Sequence, residues 1–282
     1  MPYATIKDRQ IHYFDSGVLH QAENDQFSIL MIHGLGSSQN YWMPVISQLA
    51  PKFRCIALDS YGAGRSKSEG EKITLDGLAE DAVKLMDSLG IQKFVVSGHS
   101  MGGTMTCIIA SKYPDRVVGF VPVGPVNPSS VKPEMFSSRI ETVLKGPSHI
   151  KSASASPLTD CIDGMEPIAN TIPTAATSTQ ASSLTRAFIR ELIMQSDPKA
   201  YASHCQAIVD AQELDFAAIK APALFIAGSE DKSAPLEGVK YIHERVGSSK
   251  KDLKVFDGCG HWHCVETPDC VAKEMEAFCS SL

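Results

Sequence analysis

The sequence contains no long apolar run and no excess of basic residues. No stretch approaches the ~20 apolar residues that a membrane-spanning helix needs, so no membrane span is predicted. The net charge of −6 and the pI near 5.8 give no electrostatic reason to expect nucleic acid or an anionic membrane as a partner. Residues 1–8 lack a basic segment followed by an apolar core, so no signal peptide is predicted.

Cysteine is also sparse, since eight in 282 residues are too few for a disulfide scaffold. Several lie in apolar runs that look like core, which predicts reduced thiols in a cytoplasmic protein. The ligand types in 259–264 are spaced Cys-x-His-x-His-Cys, too tightly for the usual tetrahedral zinc cluster, so no metal is predicted. The turn at 62–64 does not complete a G-x-G-x-x-G motif, because Lys67 occupies the third position, and no cofactor is predicted.

What the sequence does contain is the composition of an ordinary globular protein, with 43% hydrophobic and 21% charged residues. Short apolar runs alternate with helical patterns, which predicts a parallel sheet with helices on both faces. Two alternating segments near the start, 4–7 and 11–15, predict an antiparallel hairpin at the sheet edge. The other predicted strands lie at 28–32, 54–58, 94–97, 117–123, 223–227 and 253–256.

This alternation stops between residues 126 and 214, where no strand-like run is evident. Ser, Thr, Ala and Pro dominate segments such as 151–159 and 171–185, while helices are predicted near 134–144, 184–195 and 198–212. The region predicts a helical cap (126–214) inserted between two parts of a core, 1–125 and 215–282. The alternative, a disordered linker, is disfavoured by the helical patterning.

One stretch, Phe94-Val95-Val96-Ser97-Gly98-His99-Ser100-Met101-Gly102-Gly103, has the pattern of a nucleophile elbow. An apolar strand ends at Gly-x-Ser-x-Gly, and an apolar helix follows until Tyr113-Pro114. Glycines on both sides of the serine allow strand and helix to approach closely. The Ser100 hydroxyl is therefore expected above the sheet at a helix N-terminus, where partial positive charge favours a developing anion.

A serine nucleophile needs a base and an acid that orients the base. Asp231 follows one predicted strand and His261 follows the last one, so both should lie at the same sheet edge as Ser100. Glu230 competes with Asp231, but its side chain should point elsewhere from a tight turn. His263 competes with His261. His33 and His99 are expected to support turn geometry by hydrogen bonding.

Stabilisation of an oxyanion requires two N–H donors. The amide of Met101, at the start of the helix, is the first candidate, and the amide of Leu35 in the Gly-rich turn after strand 28–32 is the second. Gly34 in that turn and Trp262 beside the base are predicted to contribute to substrate binding.

With these residues in place, the sequence resembles the α/β-hydrolase superfamily over almost its whole length. The matching segments are His33-Gly34-Leu35-Gly36, 59–66, Gly98-His99-Ser100-Met101-Gly102-Gly103, 113–117, Asp231 and Gly260-His261. Within the superfamily it is most similar to the branch of lactonases and esterases that resembles 3-oxoadipate enol-lactonase. The resemblance implies an α/β-hydrolase fold, with a mostly parallel central sheet, helices on both faces and a helical cap.

The resemblance also implies hydrolysis of a small-molecule ester or lactone through an acyl-enzyme on Ser100. Dehalogenases and epoxide hydrolases of this fold attack with Asp. The serine at the elbow therefore disfavours these two activities. The cap mixes basic residues such as Arg139 with acidic ones, so its composition predicts no basic excess to capture a substrate carboxylate. Two alternatives stay open, namely a C–C bond hydrolase or lyase with the same triad, and a non-catalytic ligand receptor that retains the site.

Overall fold

The computed structural model describes residues 2–17, 27–145 and 164–282. Within these ranges eight strands form one sheet in the order β1-β2-β4-β3-β5-β6-β7-β8. β1 and β2 form the predicted antiparallel hairpin, and β2 also pairs antiparallel with β4. The other six strands, β4, β3, β5, β6, β7 and β8, are parallel to one another. The strands are β1 Tyr3–Ile6, β2 Arg9–Asp15, β3 Ser28–Ile32, β4 Cys55–Leu58, β5 Phe94–His99, β6 Val117–Val123, β7 Ala223–Gly228 and β8 Lys251–Phe256.

The central strands are buried on both faces because helices pack against them. Every residue of β3, β4 and β5 is buried, which explains why these strands are continuous apolar runs rather than alternating ones. The helices in the described ranges are α1 Met43–Leu49, α2 Leu75–Ser88, α3 Met101–Lys112, α4 Pro133–Lys145, α5 Glu166–Ala175, α6 Ser183–Met194, α7 Pro198–Val209, α8 Leu236–Arg245, α9 His263–Glu266 and α10 Pro268–Ser280.

Helices α4 to α7 occupy the region between β6 and β7, and one of them was not predicted. α5 contains Pro167 in its first turn and Pro173 in its interior, a composition that reads as loop. The helix forms nevertheless, because Ile168 and Ala169 are buried and the helix packs against α6. The predicted helix at 198–212 was too long, since α7 ends at Val209. The segment 151–159 lies outside the described residues, and the boundaries of the cap at 126 and 214 stay predictions.

The cap helix α7 is joined to the turn after β4 by a buried histidine. His204 Nε2 donates a hydrogen bond to the Tyr61 carbonyl oxygen at 2.9 Å, and its side chain is buried. Beside it, Gly62 has φ +88°, and a Cβ there would lie 3.1 Å from the Ala200 Cβ. Burial lowers the pKa of His204 to about 4, so the ring is neutral at pH 7. Within the described ranges no helix has the length and apolarity needed to cross a membrane.

We expect this histidine to make the stability depend on pH. Because its pKa of about 4 in the folded state lies below the ~6.5 of an unfolded chain, folding favours the neutral ring. That contribution is complete above pH ~6.5 and is lost as the pH falls toward the folded-state pKa, amounting to about 2 kcal/mol between pH 7.5 and pH 5. The free energy of unfolding, measured with urea across this pH range, should decline less for His204→Gln than for the wild type. Equal declines would contradict this account.

Candidate active site

Ser100 lies at a strained turn between β5 and α3. Its backbone has φ +55° and ψ −115°, and among the described residues Lys7 is the only other non-glycine residue with a positive φ. Such a conformation costs on the order of 1–3 kcal/mol and persists only where surrounding structure enforces it. The turn therefore matches the elbow that the sequence predicts.

Two glycines allow the elbow to form because backbone atoms occupy the space of their missing side chains. A Cβ at Gly98 would lie 2.1 Å from the Gly102 carbonyl oxygen, and a Cβ at Gly102 would lie 2.4 Å from the Ile32 carbonyl oxygen. Real Cβ atoms do not approach so closely. The end of β5, the start of α3 and the end of β3 are thus held in direct contact around Ser100.

The three side chains proposed from the sequence form one hydrogen-bonded chain. Ser100 Oγ lies 3.0 Å from His261 Nε2, and His261 Nδ1 lies 2.8 Å from Asp231 Oδ2. With Nδ1 protonated, the ring donates to the carboxylate and its Nε2 accepts from the serine hydroxyl. All three residues are buried, so the chain is largely shielded from solvent.

Asp231 is held by the turn that follows β7. Its Oδ1 accepts hydrogen bonds from the amides of Ser233 and Ala234, both at 2.8 Å, which leaves Oδ2 for the histidine. Burial raises the pKa of the Asp231 carboxyl, but His261, His263 and the Ala234 amide together lower it more, so the pKa lies below its usual value. The competing carboxylate, Glu230, points away and accepts from the Thr179 amide at 3.0 Å.

The competing base, His263, approaches Asp231 but not the serine. His263 Nε2 lies 3.9 Å from Asp231 Oδ2, beyond hydrogen-bond distance, and the side chain is fully buried. It packs over Gly124 at the end of β6, where a Cβ would lie 2.7 Å from the His263 Cε1. Burial lowers the pKa of His263, although Asp231 opposes the shift.

The loop that carries His261 is anchored by a residue that sequence reasoning missed. Glu266, at the end of α9, accepts from three backbone amides: Gly260 at 3.1 Å, Trp262 at 2.9 Å and Ser178 at 2.7 Å. Two of these amides flank His261, and the third belongs to the segment between α5 and α6. A signal existed in the sequence, since a carboxylate follows the proposed base by five positions, but its three partners are revealed only by the fold.

His33 and His99 support backbone geometry, as predicted. His33 Nδ1 donates to the Gly34 carbonyl oxygen at 2.7 Å while its Nε2 accepts from the Ser60 amide at 3.0 Å. His99 Nε2 donates to the His261 carbonyl oxygen at 2.7 Å. Burial, together with the charges of neighbouring histidines, holds the pKa of His99 well below its ordinary value, so its ring is neutral.

The Gly-rich turn after β3 lies against the elbow. A Cβ at Gly34 would be 2.8 Å from His99 Nδ1 and 2.9 Å from the Ser100 Cβ. This contact brings the adjacent Leu35 to the wall of the cavity that Ser100 also lines. Met101 is the first residue of α3, so its amide has no acceptor within the helix. Both candidate oxyanion donors thus lie in segments that adjoin the serine.

Comparisons with known proteins agree with this architecture. A family model described as alpha/beta hydrolase fold matches residues 28–268. The chain belongs to the α/β-hydrolase family. The protein named "Putative carbamate hydrolase RutD" from Caulobacter sp. (strain K31) is 26% identical over 251 residues, which cover 86% of this chain and 89% of that protein.

Solved structures show the same α/β-hydrolase fold. The enol-lactonase from Burkholderia xenovorans LB400 superposes with a TM-score of 0.83 at 24% identity, covering 99% of this chain and 100% of that one. The thermophilic esterase from Thermogutta terrifontis gives a TM-score of 0.82 at 20% identity, with coverages of 97% and 94%. The predicted fold class and superfamily are therefore confirmed.

Above Ser100, this α/β-hydrolase has a cavity of about 210 Å³. Side chains from the cap helices form much of its lining, including Phe136 and Arg139 of α4 and Tyr201 of α7. Trp262 lines it, whereas Gly34 is absent from the lining and instead packs against His99 and Ser100. A substrate contact at either residue stays a prediction.

The cavity wall is more basic than the composition of the cap predicts. Arg139 and Lys232 line it, and no carboxylate side chain among the described residues does. Burial raises the pKa of the Tyr201 hydroxyl, despite the opposing effect of the nearby Arg139 guanidinium. The balanced charge of the cap therefore does not describe its cavity-facing side. In the part of the chain that the structure describes, no group of three or more His, Cys, Asp or Glu could hold a metal ion.

We expect Glu266→Ala to destabilise the His261 loop. Removal of the carboxylate leaves three amides without their acceptor, and hydrogen bonds to a charged group contribute about 1.5–3 kcal/mol each. The free energy of unfolding measured with urea should fall by at least about 2 kcal/mol, with a loss of any activity that depends on His261. The control is Glu274→Ala in α10, which removes a surface ion pair with Lys254 and should change stability by less than about 1 kcal/mol. Equal effects of the two substitutions would refute the anchoring role.

Proposed function

We propose that the protein is a serine hydrolase that cleaves a small carboxylic ester or lactone. The observation that carries the proposal is the continuous hydrogen-bonded chain from Ser100 through His261 to Asp231, whose first two residues line a cavity. The family and its esterase, lactonase and carbamate hydrolase neighbours support hydrolase chemistry in general. The roles of individual residues are our inference.

In the proposed mechanism, His261 Nε2 takes the Ser100 proton as the oxygen attacks the substrate carbonyl carbon. Asp231 holds the ring in the required tautomer and stabilises the imidazolium that forms. The amides of Leu35 and Met101 stabilise the oxyanion. His261 then protonates the leaving alcohol oxygen as the ester bond breaks and the acyl group stays on Ser100; the alcohol of an ester departs, and that of a lactone remains attached to the acyl group. A water molecule, deprotonated by the same histidine, releases the acid and restores the serine.

A carbamate is the second candidate substrate. The relative from Caulobacter sp. that covers 86% of this chain carries that activity in its name. The same groups would serve, because attack on a carbamate carbonyl produces the same type of oxyanion and His261 would protonate a leaving amine. A C–C bond hydrolase, a lyase or a receptor retaining the site would also share the geometry, so substrate panels must separate these possibilities.

We infer further that the helical cap determines which substrate enters. Helices α4 to α7 supply residues of the cavity wall, while the core supplies the reacting groups.

The buried thiols are consistent with the predicted cytoplasmic location, since seven cysteines in the described ranges are free.

We expect Ser100→Ala to abolish labelling by a fluorophosphonate probe. It should also lower the turnover of p-nitrophenyl acetate by at least about 10³-fold, because loss of a triad nucleophile leaves only binding and oxyanion stabilisation. The matched control is Ser97→Ala on β5, the strand that leads to Ser100. The Ser97 hydroxyl donates to the Val121 carbonyl oxygen, and Ser97 is not in the cavity lining. Labelling of the Ser100→Ala protein at the wild-type rate would show that another residue is the nucleophile.

The basic cavity wall generates a separate prediction about substrate charge. If Arg139 contacts a substrate carboxylate, Arg139→Gln should lower kcat/KM for a carboxylate-bearing ester at least ~10-fold relative to its neutral amide analogue. The ratio of the two values, measured with the same enzyme preparation, removes general effects on folding. The control is Glu134→Gln, which changes an exposed charge on the same helix. An unchanged ratio in Arg139→Gln would exclude a carboxylate contact at this position.

A further inference from the structure

A second cavity adjoins the one above Ser100. It has a volume of about 340 Å³ and lies between the start of α4, the start of α8 and the segment that follows β6. Five residues line both cavities, so the two are separated only by a shared wall. These residues are Val126, Met135, Phe136, Lys232 and Ser233.

The first cavity alone is small for a ligand site, and this makes the second cavity relevant to substrate binding. Sites for small molecules have volumes of ~300–1,000 Å³, and the cavity above Ser100, at about 210 Å³, is smaller than that range. The two cavities together fall within it. The second cavity is therefore placed to hold a part of the substrate that the first does not accommodate.

The shared wall is built from side chains that can adjust. Phe136 is 5% exposed, whereas its neighbour Met135 is 43% exposed despite its apolar side chain. Methionine has three rotatable bonds and adapts to ligands of different shape. The two residues lie near the start of α4, so their side chains can move without disturbing the sheet.

The interior of the second cavity suits an apolar group. Its lining includes Pro125, Val131, Ala234 and Pro235, together with the apolar residues of the shared wall. Lys132, Lys232 and Glu237 also line it, and two polar groups of the segment after β6 have partners within the chain. Asn127 Oδ1 accepts from the Ser129 amide at 3.1 Å, and the Ser130 hydroxyl donates to the Asn127 carbonyl oxygen at 3.0 Å.

Gly238 determines how deep the cavity is. It lies in the first turn of α8 and lines the cavity. A Cβ at this position would lie 3.5 Å from the Asn127 Cβ and 3.8 Å from the Ser130 Oγ, both at ordinary contact distance. Its φ is not positive, so the backbone does not require glycine. A larger side chain would therefore fit the helix and project toward the opposite wall, into the cavity.

We propose that this second cavity is a subsite for an apolar alkyl or aryl arm of the substrate, and that Gly238 keeps it open. The inference rests on the proposed serine hydrolase function and specifies its substrate class: esters or lactones that carry an extended apolar substituent. The arm belongs either to the acyl group or to the alcohol, and the experiment below distinguishes the two.

The test measures kcat/KM for two substrate series with the wild type and with Gly238→Leu. One series is p-nitrophenyl esters from acetate to octanoate, which lengthens the acyl group, and the other is alkyl acetates from methyl to hexyl, which lengthens the alcohol. Burial of each additional methylene can raise kcat/KM up to about fourfold. In the wild type we expect such a rise in one series, and in Gly238→Leu the ratio of the longest to the shortest substrate should fall at least ~10-fold in that same series.

Two further variants make the result specific. Gly238→Ala, which fills less of the cavity, should give an intermediate ratio. Gly77→Leu changes the glycine at the equivalent position of α2, which lines neither cavity, and should leave both series as in the wild type. If Gly238→Leu loses the rise of kcat/KM with chain length in the acyl series, the cavity binds the acyl group. If it loses the rise in the alkyl series, the cavity binds the alcohol.

The possible failures can be told apart. If the wild type hydrolyses acetates through Ser100 but Gly238→Leu leaves both chain-length profiles unchanged, the subsite proposal is wrong and the proposed function stands. If the wild type shows no Ser100-dependent turnover of any ester, the proposed function is wrong, and the subsite proposal, which rests on it, is wrong too.

Discussion

Three backbone segments come into direct contact around Ser100, and the rest of the site depends on this close approach. The contact requires glycine at positions 98 and 102, since a Cβ at either would overlap a carbonyl group. It forces the serine into a positive φ and lifts its hydroxyl above the sheet. Because the parallel strands all end at this edge, the turns after β7 and β8 deliver Asp231 and His261 to the same place.

Burial then determines the protonation of the groups that surround the serine. The ring of His99 stays neutral and donates one hydrogen bond to the backbone of His261, which fixes the position of the proposed base. Asp231 is ionised in spite of its burial because two amides and the imidazole compensate its charge. Glu266 also holds the His261 loop in place, because its carboxylate accepts hydrogen bonds from the two amides that flank His261. The proposed triad is thus held by a rigid polar network rather than by the three side chains alone.

Features that depend on local pattern could be predicted from the sequence. The elbow, the strand order along the chain and the positions of Ser100, Asp231 and His261 follow from short apolar runs that end in turns. The helix α5 could not be predicted, because its two prolines are typical of a loop and the helix is stabilised by packing against α6 and α4. The cavity-facing role of Arg139 and the three partners of Glu266 depend on contacts between segments far apart in the chain, which composition does not encode.

The central claim is that Ser100 and His261 act as one catalytic unit, and a double-mutant cycle tests it most directly. Residues that act as a unit have strongly non-additive effects on kcat. With Ser100→Ala, His261→Ala and the double variant assayed on the same ester, each single substitution should lower kcat by at least about 10³-fold, and the double variant should be no slower than the slower single one. Losses that multiply in the double variant would contradict the account, because they would show that the two residues contribute independently.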